Sequence, residues 1–171
     1  MLKSKDEIEL FGLIEKYQGI IHKVNSVYFE HKEDKEDNFQ EVIYRLYKSF
    51  DSLRDRNKFS SWIYKVSINT AITALRKSNR VKTKPEFSDS DIKEIDENNH
   101  EEFNEKISHL YTAINKLSEV EKAIILLHLD EKSYNEIGEI IGISKNNVGV
   151  KILRIKEKLR NILKNKNCGQ G

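Results

Sequence analysis

The chain has one cysteine, Cys168, in a polar C-terminal stretch, so no disulfide can form within it, which suits a reducing compartment. Proline is as scarce, with Pro85 alone, and seven glycines are spread thinly over 171 residues. That is too little turn chemistry for a β-sandwich or barrel. No apolar run approaches the length of a membrane span, and the opening MLKSKDEIEL lacks the apolar core of a signal peptide. A cytoplasmic protein with no direct membrane insertion is expected. The five histidines, His22, His31, His100, His109 and His128, form no HxxxH pair and none lies beside the cysteine, so no metal site is expected. There is no GxxxxGK phosphate loop, no GxGxxG after a strand, and no pattern that would gather the many carboxylates in a cleft. These absences point to a non-enzyme with no catalytic residue, no cofactor and no small-molecule substrate.

What is present is charge, sorted by position. The formal net charge is only +2, but residues 45–84 carry eleven Lys and Arg against Asp51 and Asp55, net +9. Residues 86–105 carry nine acids against Lys93, net −8, and residues 144–171 carry eight bases against Glu157, net +7. Two basic segments therefore flank an acidic connector. An apolar content of 37% is modest for one large core and fits two small ones better.

Hydrophobic periodicity places helices on both sides of the connector. Leu10, Phe11, Ile14, Tyr17, Ile21, Val24 and Tyr28 mark a core helix over 7–28. The polar run EHKEDKED, 30–37, reads as a connector to a second helix carried by Phe39, Val42, Ile43, Leu46, Tyr47 and Phe50. After a charged loop over 51–58, Phe59, Trp62, Ile63, Val66, Ile72 and Leu75 form a third helix that ends in Arg76, Lys77 and Arg80. The three stripes can close into a bundle that buries Trp62 and the aromatics of the second helix. Lys65, Asn69 and Arg76 share a line on the third helix, and a solvated bundle face is the default reading of such residues. The stretch 82–103 is too acidic and too poor in apolar residues to fold alone and reads as a flexible tether. Helical patterning resumes with Ile107, Leu110, Tyr111, Ile114 and Leu117, and Ser118 can cap the helix that follows. The closing KNKNCGQG reads as a frayed end.

Residues 133–159, SYNEIGEIIGISKNNVGVKILRIKEKL, have the spacing of a helix-turn-helix. Tyr134, Ile137 and Ile141 form one stripe, and Gly138 supplies a small residue where a crossing helix must come close. Gly142 can end the helix in the left-handed region, Ile143 can plug the turn, and Ser144 can cap the second helix. Val148, Ile152, Ile155, Leu159 and Ile162 face inward, while Asn147, Lys151, Arg154 and Lys158 repeat on the other side. A basic stripe on an isolated helix is usually a solvated face. Set behind this turn, it suits phosphates and base edges. The fold class is all-α: two small helical bundles joined by an acidic flexible linker, the C-terminal one containing the helix-turn-helix.

DNFQEVIYRLYKSF, then KFSSWIYKVSINTAITALRKSNR, an acidic linker and the helix-turn-helix, in this order, resemble the two-domain extracytoplasmic-function sigma factors of bacterial RNA polymerase over about residues 7 to 164. The resemblance implies a region 2 domain over 1–81, a linker over 82–104, a region 4 domain over 105–165 and a disordered tail over 166–171. It implies as partners core RNA polymerase, promoter DNA and an anti-sigma factor. Asp37, Gln40 and Glu41 match the family's DxxQE segment, which docks on the clamp helices of the polymerase, and Arg45 lies one turn on. Arg54, Arg56, Asn57 and Lys58 in the loop, with Lys65, Asn69, Arg76, Lys77 and Arg80 on the third helix, match its minus-ten reader. Ser144, Lys145, Asn147, Lys151 and Arg154 match its minus-35 reader. Thr73 stands where the family often has Asp, and Gly149 and Val150 stand where Lys-Ser is more usual. A glycine within a helix costs about 1 kcal/mol, so Gly149 is expected where the backbone approaches DNA closely. A different class of protein remains open at this level: a transcriptional regulator whose N-terminal bundle senses or dimerises.

Overall fold

The structure, a computed structural model, describes residues 4–81 and 101–167. They form seven α-helices: α1 (Ser4–Tyr28), α2 (Lys32–Ser49), α3 (Phe59–Val81), α4 (Glu101–Ile114), α5 (Glu119–Leu129), α6 (Tyr134–Ile141) and α7 (Lys145–Asn167). Two 3-10 turns, Phe50–Ser52 and Arg56–Lys58, lie between α2 and α3. There is no strand among the described residues. The expected tether falls outside them as far as His100, and its last residues open α4. α7 runs on to Asn167, further than the polar closing sequence suggested, and the rest of that tail lies outside the described residues.

The first three helices pack on one another around Leu10, Ile14, Ile21 and Val24 of α1, Val42 and Leu46 of α2, and Phe59, Ile63, Tyr64, Ile68 and Ala71 of α3. α2 begins at Lys32, so the charged run read as a connector is its first turns. Glu33 and Asp34 sit where the helix dipole favours anions, and Lys32 pairs with Glu36 at 3.7 Å along one face. A polar lock joins α1 to α2 inside the body. Asn38 Nδ2 donates to Asn25 Oδ1 at 2.7 Å, and Asn25 Nδ2 donates to the Lys35 carbonyl at 2.9 Å. Several residues expected in the core are not fully inside it, and Tyr17, Phe39, Ile43, Tyr47, Val66, Ile72 and Leu75 are half-buried. Phe11 is 57% exposed, on the rim of a groove between α1 and α2. Trp62 is half-buried, held between Phe59 at 5.6 Å and Phe50 at 6.3 Å between ring centres.

α4 to α7 pack around Ala123, Ile124 and Leu127 of α5, Ile137 and Ile140 of α6, and Val148, Ile152, Ile155 and Leu159 of α7. Local chemistry fixes each start. Ser118 and Glu121 form a reciprocal capping box on α5, and Ser133 and Glu136 form another on α6. The Ser133 N–H holds the Glu136 carboxyl below the usual range. That support for the helix is complete at neutral pH and is lost as pH falls through the lowered value. α6 ends at Gly142, whose φ of 86° lies in the left-handed region. The Gly142 and Ile143 N–H groups both donate to the Gly138 carbonyl, at 2.8 and 3.1 Å. A Cβ on Gly138 would stand 2.6 Å from the Ile143 carbonyl oxygen, so the close approach that this glycine permits is to its own turn.

The two groups of helices touch through α1 with α5 and α3 with α6. The Tyr28 hydroxyl donates to the Glu119 carbonyl at 2.5 Å, and burial, with the nearby Glu119 carboxylate, pushes the phenol well above its ordinary pKa. Lys23 pairs with Asp130 at 2.6 Å and Arg76 with Glu119 at 3.2 Å. Lys132 donates to Ser60 at 3.2 Å and lies over the Tyr64 ring.

The three glycines of the helix-turn-helix should respond differently to alanine in urea unfolding. Gly138→Ala should cost about 2 kcal/mol, because backbone must move, and Gly142→Ala about 1 kcal/mol from the left-handed backbone. Gly149→Ala should instead stabilise by about 1 kcal/mol. A neutral Gly138→Ala would show that the turn is not closed as described.

Candidate nucleic-acid and partner interfaces

Three surfaces follow from this packing. The first is the outer ridge of α2. Gln40 and Tyr44 line an apolar groove of about 400 Å³ on the α1 side, with Leu10, Phe11, Ile14, Phe39, Ile43 and Tyr47. Asp37 and Glu41 line a second hollow of about 370 Å³ on the α3 side, with Asp34, Asn38 and Leu75. α2 is thus a raised strip, apolar on one flank and acidic on the other. Glu41 accepts from Arg45 Nε at 2.7 Å, one turn along, so the two sequence candidates are themselves paired. The pair is half-exposed and open to exchange for a partner's charge.

The second surface is α3 with the loop before it. Lys65, Asn69, Arg76 and Arg80 lie along one face at helical spacing, and all are exposed. Lys77 lies about a quarter turn off that line. Thr73 donates to the Asn69 carbonyl on its own helix at 2.7 Å and contacts no neighbouring helix through that hydroxyl. Arg54, Asn57 and Lys58 are exposed on the loop, where Asp55 accepts from the Asn57 N–H at 3.0 Å and caps the second 3-10 turn.

Arg56 differs from its neighbours. Its guanidinium lies 3.9 Å from the centre of the Phe50 ring, donates to the Leu53 and Phe50 carbonyls, and pairs with Glu9 at 3.1 Å. These contacts use the planar fork on the body's own loop and on α1. Arg56, which the resemblance sets among the minus-ten residues, braces the loop that presents Arg54 and Lys58.

The third surface is α7. The Asn147 N–H donates to Ser144 Oγ at 3.2 Å, which makes Ser144 the cap the spacing implies. Val148, Ile152, Ile155 and Leu159 are buried and Ile162 half-buried, as the inward stripe requires. Lys145, Asn147, Lys151 and Arg154 are exposed, and Lys145, Lys151 and Arg154 enter no ion pair among the described residues. Lys158 is held back by Glu121 at 3.0 Å, which helps tie α7 to α5. Gly149 is not bare backbone. The Tyr134 ring of α6 passes 3.4 Å from where its Cβ would be, an ordinary contact distance that leaves room for alanine. Sequence reasoning also gave no site role to Asn146, Val150 and Leu153, all exposed on α7. Their i, i+4, i+7 spacing, opposite the buried stripe, was the available signal.

Replacing Arg56 by Ala should lower the unfolding free energy by about 2 kcal/mol, through lost packing on Phe50 and lost hydrogen bonds to the loop carbonyls and Glu9. Arg54→Ala should change it by less than about 0.5 kcal/mol. Equal effects in a denaturation series would return Arg56 to the set of free cations.

Comparison with known proteins identifies the family. Residues 13–81 match the family described as Sigma-70 region 2, and residues 108–159 match Sigma-70, region 4. The ECF RNA polymerase sigma-E factor of Escherichia coli (strain K12) is 30% identical over 165 residues, covering 87% of this chain and 83% of its own. RNA polymerase sigma factor SigV of Bacillus subtilis (strain 168) is 28% identical over 134 residues, covering 78% of each. Among solved structures, the sigma factor RpoE in complex with the anti-sigma factor NepR from Bartonella quintana superposes with a TM-score of 0.70 at 19% identity. That match covers 95% of this chain and 98% of the other and supports the fold. With region 2 on α1 to α3 and region 4 on α4 to α7, the chain belongs to the extracytoplasmic-function sigma factors, non-enzymatic proteins that bind core RNA polymerase and direct initiation at promoters.

Proposed function

We propose a division of labour among the three surfaces. The observation that carries it is the α7 face, where a capped helix behind a closed turn presents unpaired cations and amides with its apolar stripe fully committed inward. A helix held in that way can enter the major groove, with Ser144, Lys145, Asn147, Lys151 and Arg154 toward the minus-35 duplex. Phosphate contacts position it, and side-chain donors reach base edges. The α3 face and its loop hold the separated minus-ten strands. There Arg54, Asn57, Lys58, Lys65, Asn69, Arg76, Lys77 and Arg80 supply backbone contacts, and Arg56 acts through the loop it braces.

The α2 ridge docks on the polymerase. Asp37, Gln40 and Glu41 offer acids and an amide between an apolar groove and an acidic hollow, a surface suited to a basic, apolar helix on the partner. The domains run 1–81 and 105–165. Residues 82–104 link them, and the net charge of −8 over residues 86–105 suits passage through an electropositive channel. A protein covering α2 and α7 together would silence the chain. The Bartonella quintana sigma factor is solved in complex with an anti-sigma factor, and exposed Phe11 and Tyr44 offer a landing site for a protein of that kind here. Action in the cytoplasm follows from work on the chromosome. Among the described residues no helix is long and apolar enough to cross a membrane.

Two experiments test the assignment. In pull-down with core polymerase, Glu41→Lys should weaken complex formation at least tenfold and leave duplex binding by the full chain unchanged. Replacing Lys151 and Arg154 together by Ala should weaken duplex binding and reduce the slope of log K against log salt by about 2, one per lost phosphate contact. Loss of polymerase binding in the second variant, with duplex binding intact, would reverse the roles of the two bodies.

A further inference from the structure

The side of α7 furthest from its core is not its most basic side. With 100° between successive residues and the buried line at Val148, Ile152 and Ile155, the opposite meridian runs through Asn146, Val150 and Leu153. Asn147 and Arg154 lie to one flank, and Lys151 lies nearer still to the core. Val150 is 47% exposed and Leu153 is 70% exposed. A lone exposed leucine is ordinary on a soluble protein. Two apolar side chains in register, at the centre of a face whose borders are cations and amides, call for a ligand that is apolar only locally.

Protein partners fit this description poorly. The buried core of a protein interface is depleted in charged residues, and two aliphatic side chains among Lys145, Asn146, Asn147, Lys151 and Arg154 cannot form such a core. The major groove fits it well. It displays hydrogen-bonding groups throughout and a single apolar group, the C5 methyl of thymine. At 1.5 Å per residue Val150 lies about 7.5 Å and Leu153 about 12 Å beyond Lys145, against a groove about 12 Å wide. Val150 therefore enters with the first turns of the helix, and Leu153 reaches the groove's far edge.

We infer that Val150, supported by Leu153, is a specificity-determining contact that reads thymine through its methyl group in the duplex bound by α7. The inference rests on the placement of DNA on α7 made above. Asn146, on the same meridian, can pair with an adenine beside that thymine, so the readout combines one apolar and one amide contact on neighbouring base pairs. The Lys and Arg flanks supply position and salt dependence, and the apolar centre supplies choice.

The test uses the full chain and duplexes that it enriches from a pool randomised over one helical turn. Each thymine in the enriched sequence is then replaced by deoxyuridine, which lacks only the methyl. At one or two positions the wild-type chain should lose about fourfold in affinity, the worth of one buried methyl. Val150→Ala should bind the thymine duplex about fourfold more weakly and no longer distinguish the two bases at that position. Both side chains are exposed, so Val150→Ala and Leu153→Ala should keep wild-type helical content by circular dichroism. An equal uracil penalty in wild type and Val150→Ala overturns the inference, as does indifference to uracil at every position. If Val150→Ala and Leu153→Ala reduce polymerase binding alone, the pair is a protein contact and the inference fails. If the wild-type chain binds no duplex in a salt-dependent way, the placement of DNA on α7 fails first, and that result is distinct from the others.

Discussion

The approach of Gly138 to the Ile143 carbonyl governs the C-terminal body. A methyl group at 138 would sit 2.6 Å from that oxygen, so only a residue without a side chain lets the turn fold back on α6. With the turn closed, the Gly138 carbonyl takes the N–H groups of Gly142 and Ile143, and the Ser144 hydroxyl accepts the Asn147 N–H in the first turn of α7. The direction in which α7 leaves is thereby set by backbone contacts, and Ile143 drops onto the core beneath it. Every surface property of α7 then follows, because fixing one buried line on a helix fixes its opposite.

Much of this was legible in the sequence because it depends on local spacing. The buried stripe from Val148 to Leu159, the left-handed Gly142 and the caps at Ser118 and Ser144 all arise from residues within two turns of one another. What escaped lacks an apolar pattern or depends on partners distant in the chain. The run from Lys32 to Asp37 has no apolar signal, yet it folds as helix because its charges pair along one face and its first acids suit the dipole. Arg56 is one cation among several until Phe50 and Glu9 are brought beneath it. Asn25 and Asn38 read as ordinary polar residues until α1 and α2 bury them face to face. Phe11 has the right period for the core, but periodicity does not say where the neighbouring helix ends its cover, and this ring is left on the rim of a groove.

Sequence likeness and chemistry also weigh α7 differently. Matching residues to a family directs attention to Lys151 and Arg154, since charge is the conspicuous feature of a DNA-binding helix. Geometry puts Val150 and Leu153 at the centre of the exposed face and gives Tyr134 the place beside Gly149. Affinity and selectivity need different groups, because phosphates are alike at every base pair and only groove edges differ. A face with cations at its border and apolar groups at its middle separates the two tasks by position.

Contacts between the two bodies obey a similar separation of strong from weak. Lys23 with Asp130 and Arg76 with Glu119 are largely exposed, and pairs of this kind contribute about 0 to 1 kcal/mol each. The Tyr28 hydroxyl, buried against the Glu119 carbonyl, is the contact that resists water and salt. Arg76 would therefore give up little on exchanging the Glu119 carboxylate for a backbone phosphate, which carries the same charge. Glu119, freed of Arg76, still anchors Tyr28 through its backbone. The cations of α3 would then turn to nucleic acid without first unpacking a core, and the Tyr28 contact between the bodies would remain.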